Sequence, residues 1–313
     1  MDLTVIGDIN LDLISSPLKS YPEKDRQVTL PKFMVQLGGS SAIFACACSK
    51  LGLKTKFIGR LGFDLISKFL IREMQKTGVK TKIKRVKGEN AGITISLTFE
   101  DMKRAMITFR GSNSNLSRKD FSLKDIDGKI LHIGGFNLLD SLRKDVYEIF
   151  SFAREKGMKT SLDPNWDPKG WKKGRIKDLI KILKTTDFFF PDYEEGKAIT
   201  KIEEPKKIVE KLLELGSKVV ALKCGRRGCF VGSKDEIFYV KGLKVKSVQT
   251  TGAGDAFDAG FIKAFLSGLN LKECAEFANV CGAFYTMGFG IERFPSENKI
   301  IKIFQKLGSK CHA

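Results

Sequence analysis

The chain has 313 residues, enough for one large α/β domain or two smaller ones, and 42% of them are hydrophobic, which supports a packed core and argues against wholesale disorder. Lys and Arg outnumber Asp and Glu by 55 to 36, a formal net charge of +19. The basic residues are scattered, with a local concentration only at Lys76–Lys87, so the charge is expected to give a solvated, lysine-rich surface that draws small anions rather than a nucleic-acid groove.

No apolar run is long enough to span a membrane, and MDLTVIGDINL has an acid at position 2 and no basic leader. A cytoplasmic protein with no membrane or nucleic-acid partner is expected. The seven cysteines form no CxxC pair and their number is odd, so they are read as small core residues rather than a disulfide framework. Only His132 and His312 are available, which excludes a histidine-built metal site.

Along the chain, LTVIG reads as a short strand. The turn LGGSS precedes a helical run, AIFACACSKLG. KTKFIGRLG reads as strand and turn, and DLISKFLIREMQKTG as an amphipathic helix closed by Gly78. GITISLTFEDMKRAMITFR alternates on either side of EDMKR, which predicts a hairpin. ILHIGG, MKTSLD, DFFFPD and KVVALKCG then alternate with helices of ten to fifteen residues, the pattern of parallel βαβ units with helices on both sheet faces. The short strands GCFVG and EIFYVK follow, and helices over KECAEFANVCGAFYTMG and ENKIIKIFQKLG close the chain. In such sheets ligands sit beyond the carboxyl ends of the strands. The polar turns GDINLD, DPNWD, PDYEE, KCGRRG and TTGAGD are expected there.

The last of these turns is the most informative. In TTGAGDAFDAGF, Gly252, Ala253 and Gly254 form a tight small-residue turn, and Phe257, Phe261, Ala264 and Phe265 then share a helical face. The turn feeds a helix N-terminus, a natural anion site. There is no GxxxxGK[ST], the stretch from Gly252 lacks the third glycine of a dinucleotide turn, and no GxSxG elbow is present. Phosphoryl transfer needs amide donors at the moving oxygens and a base beside the attacking hydroxyl. The Gly252–Gly254 turn and Asp255 meet that need. Local physics leaves two roles for Asp255: general base, with a pKa drawn down by the helix end, or helix cap.

The stretch TTGAGDAFDAGF resembles the second signature of the ribokinase, or PfkB, family of carbohydrate kinases. LGGSSAIFACACSKLGLKTKFIGRLGFD resembles the first signature. GDINLD, PDYEE and ANVCGAFYTMGFG resemble the family's substrate aspartate strand, Asn-x-x-Glu motif and adenine-side helix. The likeness covers nearly the whole chain in order. It implies a three-layer α/β/α sandwich with a mostly parallel sheet (1–9, 37–79 and 113–313) and a small β-sheet lid (10–36 and 80–112), and ATP-dependent transfer to a sugar hydroxyl with Mg²⁺. In that reading Asp255 is the base, and Gly252, Ala253 and Gly254 form the anion hole. Asp12, Gly38 and Gly39 hold substrate hydroxyls. Glu195 places Mg²⁺ through water. Lys223, Gly225 and Gly228 shape the nucleotide loop, with Asn279 near the base and Asp192 near the phosphates.

Asn10, Arg104 and Asn165 are further substrate-side candidates. The competing readings are a turn residue for Asn10, a solvated turn charge for Arg104 and a cap for Asn165. Lid strands often pair between protomers in this family, which implies a homodimer. A nucleoside kinase, or a non-catalytic sugar-binding protein on the same fold, are the alternatives to a sugar kinase.

The sequence departs from the family pattern in four places. Ile43 stands where a sugar-binding Asn is usual. Asp192 replaces the Asn of Asn-x-x-Glu. DPNWD has no Arg following Asn165, and Asp167 comes later instead. Gln249 replaces an Asp that helps hold a monovalent cation. A neutral amide binds K⁺ less well than a carboxylate, so weak or absent K⁺ activation is expected. Turnover in Na⁺-free buffer with and without K⁺ checks this, and a severalfold rise on adding K⁺ would contradict it.

Overall fold

The computed structural model describes residues 1–101 and 103–308; Cys311 and His312 lie outside them, as does Met102 in the predicted hairpin turn. The first part of the chain gives β1 (Leu3–Ile6), β2 (Asn10–Ser15), β3 (Phe33–Gly38), α1 (Ser40–Lys50), β4 (Thr55–Leu61), α2 (Leu65–Lys76), β5 (Lys80–Arg85), β6 (Gly92–Thr98), β7 (Arg104–Phe109) and β8 (Ile130–Ile133). The rest gives α3 (Val146–Glu155), β9 (Lys159–Leu162), α4 (Lys173–Leu183), β10 (Phe188–Phe189), α5 (Tyr193–Thr200), α6 (Pro205–Glu214), β11 (Val219–Lys223), β12 (Gly228–Gly232), β13 (Ile237–Lys241), α7 (Ala253–Leu266), α8 (Leu271–Tyr285) and α9 (Glu297–Gly308).

A nine-stranded sheet runs in the order β13-β12-β11-β10-β9-β8-β1-β4-β5. Every neighbouring pair from β11 to β5 is parallel, and β12 is antiparallel to both of its neighbours. Two apolar cores cover its faces. One gathers α1, α2, α7 and α8 with Leu3 and Val5 of β1. The other gathers α3, α4 and α6 with Ile6 of the same strand, as strand alternation requires. This is the expected three-layer sandwich.

The helices follow from local sequence. In α2, Leu70 and Met74 are buried one turn apart, and the Asp64 carboxylate caps the start by accepting from the Ser67 amide at 2.9 Å. Helix α7 is buried on almost every side, which explains its run of Ala, Gly and Phe.

A second sheet, in the order β3-β2-β6-β7, stands over the carboxyl ends of the large one. The predicted hairpin is β6 and β7, paired antiparallel from Ile93–Phe109 to Thr98–Arg104. Two boundaries differ from expectation. Residues 80–85, expected in the lid, form β5, the edge strand of the large sheet, paired with β4. Lys80, Lys82 and Lys84 alternate outward on it, as suits an edge that must not recruit another strand. Leu37 and Gly38, expected in the catalytic unit, end β3 in the small sheet. Among the described residues no helix is long and apolar enough to cross a membrane.

Candidate active site

The strand order turns about β1, whose neighbours are β4 and β8, so the loops after β1 open at a switch point of the sheet. Asp8 follows β1. Its carboxylate accepts from the Ser40 and Ser41 amides at 3.1 and 3.0 Å and so caps α1. Asp12 on β2 is buried beside Gly38 of β3. A Cβ at Gly38 would stand 2.0 Å from the Asp12 carboxyl carbon, so only glycine leaves that carboxylate its place. Burial, then the Asp8 charge, raises the Asp12 pKa to about 7, while Arg104 opposes the shift.

The predicted anion turn leads into α7, with Gly252 at φ +87° before its first residue. A Cβ at Gly252 would stand 2.8 Å from the Tyr285 ring and 3.0 Å from the Ile43 methyl. No described side chain caps α7, so its first-turn amides are open to a ligand, although the Ala253 amide turns back to the Thr250 carbonyl at 3.3 Å. Asp255 is not a cap. Its Oδ1 instead accepts from the Ser40 hydroxyl at 2.6 Å. Its pKa is also not drawn down as the helix end suggested. Burial, then the Asp163 charge, pushes it up to about 8, against the pull of Ser40 and Lys223.

Lys223 explains much of this field. Its side chain runs under the turn, with Nζ 2.7 Å from Asp163 Oδ2 and 3.2 Å from both oxygens of Asp258. Its ammonium is thus a buried counter-ion beneath Gly254. Burial disfavours the charge, but Asp163, Asp258 and Glu195 outweigh it and raise the Lys223 pKa. In return Lys223 holds Asp163 below the usual carboxylate range in spite of burial.

Asp192 and Glu195 open α5 as a reciprocal capping box, each carboxylate accepting from the other's amide at 2.8 Å. Burial raises both pKa values, and for Glu195 the charges of Asp192 and Asp163 raise it further. Lys223 and Arg104 together face more buried acids than they can balance, a deficit that a bound cation would relieve. Among the described residues no group of three His, Cys, Asp or Glu is placed to hold a metal ion directly.

Other predicted residues are engaged within the protein. Asn10 Oδ1 accepts from Asn113 Nδ2 at 2.6 Å, tying β2 to the loop after β7. Asn165 Oδ1 accepts from the Gly135 amide at 2.6 Å. Asp167 is fully buried and paired with Arg175 at 2.7 Å. Asn279 Nδ2 donates to the Val240 and Lys241 carbonyls at 3.3 Å, holding α8 to β13. Gly228 packs against the Val240 carbonyl, whereas Gly225 borders open space. Arg104, on the accessible edge of β7, reaches across the cleft and donates to Thr251 Oγ1 at 2.8 Å, with Asp12, Asp192 and Asp255 as its counter-charges. It is not a free turn charge.

Sequence reasoning missed Ser40, the Lys223–Asp163–Asp258 cluster and Tyr285. Asp258 lies one helical turn from Asp255, which was a usable signal. Tyr285 carried none. Its hydroxyl is buried without a hydrogen-bond partner, and both Asp255 and Asp12 act on it. The buried amides of Gln36 and Gln249 are likewise unpartnered. His132 stacks on Phe44, and burial lowers its pKa to about 3, so it is a neutral core residue.

Comparison with known proteins matches the description pfkB family carbohydrate kinase to residues 1–292. An uncharacterized sugar kinase of Archaeoglobus fulgidus is 31% identical over 245 residues, covering 75% of this chain and 92% of that protein. The 2-dehydro-3-deoxygluconokinase of Bacillus subtilis is 26% identical, covering 86% of each chain. The crystal structure of a putative Ribokinase II from E. coli in complex with ATP and Mg²⁺ superposes with a TM-score of 0.85 at 23% identity, over 97% of this chain and 99% of that one.

Removing Lys223 leaves Asp163 and Asp258 buried without a counter-charge. Lys223→Met is expected to cost about 3–5 kcal/mol in urea denaturation, and Lys223→Met with Asp258→Leu to recover part of it. A loss below about 1 kcal/mol would show that the cluster is solvated.

Proposed function

The chain belongs to the pfkB family of carbohydrate kinases, and we propose that it moves the γ-phosphoryl group of ATP onto a hydroxyl of a sugar or sugar-like molecule lying between Asp12 and Asp255. The observation that carries this reading is the setting of Asp255: a buried carboxylate at an uncapped helix N-terminus, engaged by Ser40 and capping nothing. The acceptor hydroxyl gives its proton to Asp255 as its oxygen bonds to the γ-phosphorus, and the bridging oxygen leaves with ADP. The amides of the Gly252, Ala253 and Gly254 turn steady the oxygens of the migrating group. Arg104 supplies a cation at the same turn.

Asp12 receives hydrogen bonds from neighbouring acceptor hydroxyls, with the Gly38 and Gly39 backbone beside it. Gly225, Gly228 and Asn279 frame the nucleotide side. Asp192 and Glu195 suit a hard cation, being buried oxygen donors that burial first and neighbouring acids second hold above the usual carboxylate range. They would hold Mg²⁺ through its water shell, and the ion would neutralise phosphate charge.

Ile43 and Tyr285 meet at Gly252 and give the acceptor side a largely apolar wall. That wall suits an acceptor lacking a hydroxyl on one face, and a relative of this chain is named for a deoxy compound. A nucleoside, whose base would lie on the Ile43 side of the cleft, is the second reading. ATP turnover with a panel of sugars, deoxy sugar acids, polyols and nucleosides decides: product from nucleosides alone overturns the sugar reading, and no product from any acceptor favours a binding role. Asp255→Asn is expected to cut turnover by roughly 10²–10⁴ while leaving ATP affinity nearly intact.

The lid also supports a homodimer. By register Leu13, Val35, Ile95, Ile107 and Phe109 share the sheet face opposite Asp12, and Val35, Ile107 and Phe109 are more than half exposed. A two-fold partner presenting the same face would cover them. Light scattering is expected to give a dimer that Val35→Asp with Ile107→Asp converts to monomer; a wild-type monomer at micromolar concentration would contradict this.

A further inference from the structure

Ser40 opens α1, and two neighbours fix its hydroxyl against Asp255. Asp8 accepts from both the Ser40 and the Ser41 amide, which clamps the first turn of the helix. Gly134, just past β8, lies so close that a Cβ there would stand 2.9 Å from Ser40 Oγ, leaving little room for another rotamer. The hydroxyl has a single proton, and it is directed at Asp255 Oδ1.

We propose that Ser40 is a positioning residue: its hydroxyl holds Asp255 Oδ1, favours the ionised, acceptor-ready form of that carboxylate and leaves Oδ2 for the alcohol. The proposal rests on Asp255 as the base. A donor to the charged form favours it, and loss of the donor favours the protonated acid, which cannot take a proton.

The charged and titratable groups that act on Asp255 or on which it acts are Asp8 after β1, Arg104 on β7, Asp163 after β9, Lys223 ending β11, Asp258 on its own helix and Tyr285 on α8. Against the acids among them, Ser40 is the neutral donor that favours ionisation.

The full chain labelled with ¹³C at the Asp carboxyls tests this by NMR titration, with Asp255 assigned from the signal lost in Asp255→Asn. Ser40→Ala is expected to raise the Asp255 midpoint by about one pH unit, tenfold in proton affinity. Ser40→Cys, a weaker donor of similar shape, should raise it by less, and Ser40→Thr should stay near wild type. With any acceptor found in the panel, Ser40→Ala should shift the acidic limb of kcat/KM upward by the same amount, with turnover recovering at high pH and the KM for ATP unchanged. An Asp255 midpoint that stays put in Ser40→Ala, or in Ser40→Cys should the alanine variant not fold, overturns the proposal. The titration needs no substrate, so it reads Ser40 even if the panel shows that Asp255 is not a base.

Discussion

A single ammonium sets the terms for this cleft. Lys223 is buried under the turn that begins α7, bonded to Asp163 and Asp258, and its charge also acts on Asp192, Glu195 and Asp255. Those acids come from different layers of the fold, so like-charge repulsion would drive the loops apart without it. The lysine offsets only part of that repulsion. Burial first, and the remaining repulsion second, leave carboxylates that hold their protons above the usual range, and an excess of buried negative charge draws in divalent cations. The geometry thus keeps an uncapped helix end and a cluster of buried acids within one cleft, the pairing that the proposed nucleotide with its metal requires.

The small sheet extends the same economy of charge. Asp12 enters the cleft from β2, where Gly38 leaves it room, and Arg104 enters from β7 to meet Thr251. One sheet therefore delivers both an acid and a hydrogen-bonded cation to the floor beneath it. Its other face is apolar, so a single run of alternating residues serves two opposite environments.

Much of this was legible in the sequence because it rested on short-range rules. Strand and helix periods, the small-residue turn before α7 and the hairpin at β6 and β7 are all local patterns. The misassignment of residues 80–85 arose because an alternating lysine strand reads alike on a lid or on the edge of a large sheet; only its pairing with β4 decides. Local geometry was legible where a motif was contiguous, as at the tight turn Gly252–Asp255 that opens α7. The site was hidden where function depends on distant residues meeting. Ser40 and Asp255 are 215 positions apart, and Lys223 finds Asp163 across 60. The same blindness produced the wrong sign for the Asp255 pKa, since a helix end is visible in sequence and burial beside Asp163 is not. Asn10 and Asn165 show the converse: polar residues in the right turn whose amides serve neighbouring backbone and side chains.

The placement of β1 has a consequence for how the molecule is made. Leu3–Ile6 is made before every other strand of the large sheet, yet it pairs with β4 at Thr55–Ile58 and with β8 at Ile130–Ile133. Its four residues are buried in the finished protein. During synthesis this sticky segment must wait for well over a hundred residues before both its edges are satisfied, so the nascent chain carries an unpaired hydrophobic strand that chaperones would find and that sets a floor on assembly time.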